Sequence, residues 1–409
     1  MSSTVTYAQQ ALELLPEDEE YERGTTAALL GLAYWTSGRP EAGYRSFAEG
    51  LATFKQMGLT QIAIGGTTIL AQMSIAQGRL HRAIDICEQS LQLATEQSGP
   101  VQAGTPELYL ALSEVRYEQG DLAAASQLLR NGETLRQQVS LSGAQYPWWV
   151  MQARLKSAEG DLETALNQLH EAERLYYRAP IPVPDVRPTK ALRVGWWLRQ
   201  GRLAEALGWV RECGLSVSDP PSYLHEYEHL ILARVAIASV LSDGNRRDHT
   251  DNALDQIIEL LNRLLVAAEA EDRTGSIIKV LVVLALASEA QGDISGAISS
   301  LERALILAEP EGYVRIFAEC GAPMAQLLRE AIKRGITPTY TNRLLSALKT
   351  WGHLSKTLSH SPTPLTPHSP TPHSPTPSPL PSAKENWKFC AYSPPNCPAQ
   401  KSPVNWSWP

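Results

Sequence analysis

GRPEAG (38–43), GRLHRA (78–83), GDLAAA (120–125), GDLETA (160–165), GRLAEA (201–206) and GDISGA (292–297) are six versions of one phrase, and their spacing decides the fold. The first five glycines lie 40, 42, 40 and 41 residues apart. The 91 residues from Gly201 to Gly292 hold two periods, with a degenerate copy running from Gly244 through NRRDHTDN to Ala253. A fixed period of this length marks a stacked repeat, in which each unit buries its apolar face only against its neighbours.

The residue types around each glycine say what the unit is. Glycine tolerates the left-handed backbone that ends a helix, and the Asp or Arg-Leu after it starts the next one. Five residues beyond each glycine stands a small side chain: Gly43, Ala83, Ala125, Ala165, Ala206, Ala297. Seven before it another small one recurs (Gly31, Ala71, Ser113, Ala153, Ala285), with Val194 the exception. Nine beyond it the side chain is usually bulkier, as at Phe47, Leu129, Leu169 and Leu301. Small residues facing each other let the two helices of a hairpin approach closely. The pattern is similar to the tetratricopeptide repeat, whose period is about 34 residues, with roughly six residues added per unit. The expected fold is all-α: a tetratricopeptide-like, right-handed superhelical solenoid of about seven helix hairpins over 1–350, with a concave groove and no β-sheet.

Composition bounds the partners. The 409 residues carry a formal charge of −7. Residues 359–409 hold three basic groups and one acid, so 1–358 carries 33 basic against 42 acidic side chains, or −9. Phosphate backbones are bound by clustered Lys and Arg, so nucleic acid is not expected as a direct partner. The five cysteines are scattered, and the closest pair, Cys390 and Cys397, has six residues between it rather than the spacing of a zinc knuckle. Free thiols in a reducing cytoplasm are expected. The N-terminus lacks a basic segment followed by an apolar one. The most apolar stretch, Ile277–Ala287, is 11 residues long and contains Lys279, short of the roughly 20 needed to cross a bilayer. No membrane association is expected.

Three longer phrases resemble one family. ALELLPEDEEYERG (11–24), DPPSYLHEYEHLILAR (219–234) and LERALILAEPEGYVRIFAECGAPMAQLLREAIKRGITPTY (301–340) are similar to the MalT-like superhelical region of large ATP-binding LuxR-type transcription regulators. The last is the most specific, since in that family it closes the solenoid. The resemblance implies a sensor: in such regulators an N-terminal domain hydrolyses ATP, the superhelix receives an inducer or partner protein, and a C-terminal helix-turn-helix binds DNA. An oligosaccharide inducer is implied by the resemblance alone. The ATPase and the helix-turn-helix are both expected to be missing here. There is no Gly-Lys dipeptide in the sequence, so no G-x-x-x-x-G-K-[ST] phosphate loop. Beyond Leu348 the chain turns to HSPTP, repeated from His360, His368 and His373, and 359–409 holds 14 of the 28 prolines. Proline fixes φ and donates no amide, so 351–409 is expected to be a disordered Pro/Ser/Thr-rich tail. The rival reading is a general tetratricopeptide scaffold gripping a peptide, unrelated to transcription.

Two constellations invite a functional reading. His225-Glu226-Tyr227-Glu228-His229 matches H-E-x-x-H, in which two histidines on one helical face hold zinc and the glutamate activates a water. Val235 stands where a longer form of the motif wants a third histidine, and Glu228 has no role in it. A helix face is expected rather than a metal site. No serine elbow or catalytic triad order is present. The chain is therefore expected to be no enzyme, with no cofactor and no metal. The aromatic pairs Tyr34-Trp35, Trp148-Trp149 and Trp196-Trp197 all fall on first helices of hairpins, which line the groove in tetratricopeptide folds. Counting back from the turn glycines, Trp35 and Tyr117 at three and Gln72, Glu114 and Arg154 at six are the candidate groove residues. Rings, an amide and opposite charges suit a sugar, a peptide or a partner helix.

Overall fold

The computed structural model describes residues 3–96, 104–137, 145–176, 188–243 and 247–358. Gly244 and residues 359–409, where most of the expected tail falls, lie outside them. Among the described residues there are only helices, turns and loops, with no strand. After α1 (Ser3–Leu14), seven hairpins follow one another. They pair α2 (Glu20–Thr36) with α3 (Pro40–Gln56), α4 (Thr60–Gln77) with α5 (Leu80–Glu96), and α6 (Thr105–Glu118) with α7 (Leu122–Arg136). Then come α8 (Gln145–Glu159) with α9 (Leu162–Tyr176), and α10 (Thr189–Arg199) with α11 (Leu203–Glu212). The last two pair α12 (Glu226–Asp243) with α13 (Arg247–Glu269), and α14 (Thr274–Gln291) with α15 (Ile294–Ala308). A short α16 (Arg315–Ala318) and the pair α17 (Ala322–Lys333) and α18 (Pro338–Leu358) close the array. The last helix runs to Leu358, past the boundary expected at 350.

The repeated phrase makes the same turn each time. Gly38, Gly78, Gly120, Gly160, Gly201 and Gly292 all have φ between +73° and +92°. In each, the residue after the glycine donates its amide to the carbonyl five residues back, as Arg39 does to Tyr34 (3.0 Å) and Asp121 to Arg116 (2.9 Å). That bond satisfies a carbonyl the ending helix would otherwise leave bare. Where the next residue is Asp, it also caps the helix that follows: Asp121, Asp161 and Asp293 accept from the amides of Ala124, Thr164 and Gly296.

The two small positions of each repeat meet as expected. Ser113, seven before its glycine, donates its hydroxyl to the carbonyl of Ala125, five after it, at 2.8 Å. In the first hairpin both positions are glycine. A Cβ on Gly31 would lie 2.8 Å from the Gly43 carbonyl oxygen, and one on Gly43 would lie 2.7 Å from that of Gly31. Ala83, Ala125, Ala165, Ala206 and Ala297 are all fully buried. The large residues fill the space beside them, with Phe47, Cys87, Leu129, Leu169 and Leu301 buried as well.

Helix α14 is long and apolar enough to cross a membrane by length and composition alone. In the structure it is the central helix of the core: from Gly275 to Ser288 every residue except Lys279 is buried. It packs between α13 and α15 and also touches α4 and α12.

The contact between α14 and α4 reports the pitch of the superhelix. The first turn, at Gly38, is met by Tyr223, and Trp35 Nε1 donates to the Tyr223 hydroxyl (3.1 Å). The second turn, at Gly78, lies against the backbone of Gly275 at the start of α14. The third, at Gly120, is met by Val314, whose amide donates to the Glu118 carbonyl at 2.8 Å. Hairpin one thus meets the entry to hairpin six, and hairpin two the entry to hairpin seven. The superhelix returns on itself after five hairpins, coil against coil.

The register can be tested at two glycines. Gly43→Ala should destabilise the protein by about 1–3 kcal/mol, since its Cβ meets backbone that cannot give way. Gly208→Ala sits within α11, where the nearest atom to the new Cβ is an Arg211 nitrogen at 3.8 Å. It should stabilise by roughly 0.5–1 kcal/mol. Urea unfolding of both variants checks this, and shifts of the same sign would contradict the register.

Candidate functional site

The groove face of the first helices was expected to carry Trp35, Gln72, Glu114, Tyr117 and Arg154. The structure brings four of these together. Gln72 donates to Glu114 (3.1 Å), and Arg154 donates to Glu114 (3.3 Å) and to Glu118 (2.6 Å). The guanidinium of Arg154 stands 4.3 Å from the centre of the Tyr117 ring. Trp35 stands apart, in the first hairpin, bonded to Tyr223.

These residues face the chain's own second coil. Tyr117 donates its hydroxyl to Glu319 (2.7 Å), and Arg315 donates to both the Tyr117 oxygen (3.2 Å) and Glu319 (3.3 Å). The Arg315 guanidinium also lies over the Tyr117 ring, 4.8 Å from its centre. Trp35, Tyr117 and Arg154 are 2%, 1% and 7% exposed, so the inner face of the first coil is closed at these points. Burial pushes the Tyr117 phenol up to about 12, so it stays a hydrogen-bond donor. Burial alone would raise the Glu319 carboxyl too, but Arg315 and Arg154 overcome it and hold the group below the usual carboxylate range. Of the aromatic pairs, Trp148 and Trp196 are buried like Trp35, each packed in a cluster with neighbouring repeats.

The H-E-x-x-H segment is built into the same coil-to-coil contact. Its glutamate, Glu226, is buried in an ion pair with Arg273, and Tyr223 beside it receives Trp35. His225 pairs with Glu228 (2.7 Å) on the surface. His229 is buried, and its Nδ1 lies 2.9 Å from the His225 carbonyl, so this nitrogen donates. Its Nε2 lies 3.6 Å from Asp219. Glu226 and His225 are thus each held by a neighbouring side chain, while the buried Nε2 of His229 makes no hydrogen bond among the described residues.

Beyond Glu319 the interior opens into a cavity of about 890 Å³. Helix α10 contributes Leu198 and Arg199, α12 contributes Arg234, Ile237 and Leu241, and α14 contributes Leu286 and Glu289. The other wall is the stretch from Glu319 to Pro323, with Arg329 of α17 and Leu345, Leu348 and Lys349 of α18. Arg199 is held in place by Ser157, donating to its hydroxyl (2.8 Å) and carbonyl (3.2 Å). Arg234 donates to the Glu319 carbonyl at 3.1 Å. Burial lowers the Arg199 guanidinium to about 10; Glu319 and Tyr117 oppose this, and the neighbouring cations Arg315 and Arg234 add to it. Burial raises the Glu289 carboxyl. The Cys320 thiol is raised by burial as well, which makes it a poor nucleophile. A smaller void of about 70 Å³ adjoins, sharing Arg234, Glu319 and Cys320 and adding Lys279.

Sequence reasoning missed this cavity although it held the key. The offsets of three and six that selected Tyr117 and Arg154 give Leu198 before Gly201, and Glu289 and Leu286 before Gly292. All three line the cavity.

Comparison with known proteins agrees with the repeat. The sequence model of the family described as "MalT-like TPR region" matches residues 2–334. No curated protein matches the chain. Among solved structures, the "Crystal Structure of P58(IPK) TPR Domain at 2.5 A" is similar at 14% identity, covering 87% of this chain and 99% of that one. Its TM-score of 0.21 is too low to carry an argument.

The half-buried Glu319 carboxylate gives a pH test. A group whose pKa is lowered by folding adds stability above its unfolded pKa and loses it as pH falls through the folded value. The wild type should therefore lose stability below about pH 5, partly through Glu319. Glu319→Gln should be less stable at neutral pH by about 1–3 kcal/mol, having lost a charged partner of Arg315 and Tyr117. Its stability should also fall less steeply between pH 5 and 3, in the range where Asp and Glu titrate. Denaturant midpoints across pH for both proteins measure the two slopes, and parallel curves would contradict the role given to Glu319.

Proposed function

Because the chain belongs to the MalT-like TPR region family, we propose that it is the sensor module of a MalT-like, LuxR-family transcription regulator, receiving a small inducer or a partner protein inside its superhelix. The observation that carries this reading is the cavity of about 890 Å³ beside Glu319. Its size lies within the range of small-molecule sites, and it combines an apolar wall with a few charged groups. Its walls come from α10, α12, α14, α17 and α18, so an occupant touches several repeats and the closing helices at once. Binding there reads out the shape of the whole array, as a sensor requires.

The module acts by binding and performs no chemistry. The only thiol on the cavity wall, Cys320, is kept protonated by burial, and the HEYEH segment is occupied by structural contacts. The reading carries with it a cytoplasmic location, no direct contact with nucleic acid and no membrane association. A general scaffold holding an extended peptide is less well supported. The inner face where such a peptide would lie is covered at Trp35 by Tyr223 and at Tyr117 by Glu319 and Arg315.

Thermal unfolding of the full chain against a library of neutral and charged metabolites tests the reading. A ligand at one hundred times its dissociation constant should raise the unfolding free energy by about 2.7 kcal/mol. Leu286→Trp, which crowds the apolar wall of the cavity, should weaken the shift while the protein stays folded. If no metabolite shifts the transition and one peptide or protein partner binds with equal affinity to wild type and Leu286→Trp, the scaffold reading replaces this one.

A further inference from the structure

We propose that the groove between α1 and α2 docks a basic amphipathic helix of a partner protein, its apolar face along Tyr7, Leu14 and Tyr21 and its lysines or arginines at the acidic α1–α2 loop. This surface shares no residue with the cavity beside Glu319 and is independent of what that cavity holds.

Helix α1 is apolar on two faces, and the fold uses one. Val5, Ala8 and Leu12, spaced three and four residues apart, pack with Leu30, Ala33 and Tyr34 of α2. That stripe holds α1 in the array. Tyr7, Ala11 and Leu14, spaced four and three apart, share a different face of the helix. There Tyr7 is 70% and Leu14 83% exposed, the barest large apolar side chains among the described residues. Helix α2 adds a second line in Tyr21, Thr25 and Leu29, four residues apart, with both Tyr21 and Leu29 exposed. Between the helices lies a groove of about 470 Å³, with Ala11, Leu14 and Leu15 on one side and Tyr21, Glu22 and Thr25 on the other.

The groove is preformed. Tyr21 rests on Phe54 of α3, ring centres 5.6 Å apart. Arg23 ties the end of α1 to α2, donating to the carbonyls of Leu12 (3.1 Å) and Leu15 (2.8 Å). A concentrated apolar surface with a polar rim marks a contact site. A third helix suits a groove between two others, since its side chains at i, i+3 or i+4 and i+7 form one ridge.

Charge selects the kind of helix. Glu13, Glu17, Asp18, Glu19, Glu20 and Glu22 stand around the end of the groove nearest the α1–α2 loop, and all six are exposed. Arg23 is the single base in residues 1–38, so this stretch holds six acids to one base, or −5 of the chain's −7. Glu20 and Glu22 lie in the first turn of α2, where negative charge is favoured. Glu19 precedes that helix without capping it, and Glu17 and Asp18 lie in the loop before it. Negative charge this dense repels anionic membranes and nucleic acid and attracts Lys and Arg. The acidic rim orients a basic partner, and the apolar centre supplies the affinity.

The probe is a fluorescent peptide of about fifteen residues, long enough to form a helix, with leucines along one face and lysines toward one end. One control carries glutamates in place of the lysines, and another is a scrambled peptide of the first composition with no apolar face. In anisotropy titrations with the full chain the lysine peptide should bind, and each control should bind at least about tenfold more weakly. The double change Tyr7→Ser with Leu14→Ser should weaken the lysine peptide by about tenfold. Val266→Ser, at an exposed apolar residue of α13, should leave it unchanged. Glu17→Lys with Glu19→Lys should weaken the lysine peptide and strengthen the glutamate one, and this pair carries the test if the serine variant fails to fold. The proposal is overturned if the lysine peptide does not bind at millimolar concentration, if either control binds as tightly, or if the folded groove variants behave as wild type. It also falls if the chain alone self-associates in sedimentation and Leu14→Ser abolishes this, since the groove then belongs to a second copy.

Discussion

The return of the chain on itself after five hairpins is the constraint on which the rest of the structure depends. The solenoid is so tightly wound that its second coil lies directly on its first. Gly78 shows how tightly: a Cβ there would come within 2.5 Å of the Gly275 amide nitrogen. A more open superhelix would leave the inner helix faces in water. Here the inner face of α6 and α8 is covered by the segment around α16, and every polar group on it must find a protein partner. Tyr117, Glu118, Arg154, Arg315 and Glu319 are that set of partners. Removing ions from water is costly, and attraction offsets the cost only when each charge is matched and hydrogen-bonded. Two guanidinium groups close to the phenol ring, with Glu118 and Glu319 accepting from Arg154, Arg315 and the Tyr117 hydroxyl, meet that condition.

The same winding explains why there is a cavity. Where one coil lies on another, side chains interlock and the interior is dense. Beyond α16 no further hairpin exists among the described residues, and α17 and α18 must close the end alone. Leu241 is left exposed, and Arg199 and Arg234 line the space between them and α10, α12 and α14. The cavity is thus where the repeat stops matching itself.

Much of the fold was legible because it is local. The glycine conformation, the aspartate caps and the paired small residues are each set within about a dozen residues of chain. The phrase GDLAAA encodes its own turn, and Ser113 finds Ala125 without reference to anything distant. What the sequence hid is the pitch. The small rotation between successive hairpins is set by packing, and its sum over five of them decides that Tyr117 meets Glu319, about two hundred residues away. No periodicity reports that sum. The groove candidates lie on the inner face of the first coil, but whether that face is open was not readable. The partners of the HEYEH segment were hidden for the same reason: Glu226 pairs with Arg273, and the nearby Tyr223 receives Trp35, contacts with residues outside the motif.

Cavity and closure are joined through one residue. Arg234 donates to the backbone carbonyl of Glu319, and the Glu319 carboxylate receives Tyr117 and Arg315. One residue thus forms part of the cavity wall and part of the contact that holds the coils together. A molecule in the cavity would contact α10 and α12 on one side and α17 and α18 on the other, an arrangement that requires the superhelix to be closed. Its binding free energy is then added to the closed state and withheld from any opened one. Reciprocally, whatever loosens the Tyr117–Glu319 contact must weaken the ligand by the same factor, because coupling between two sites is symmetric.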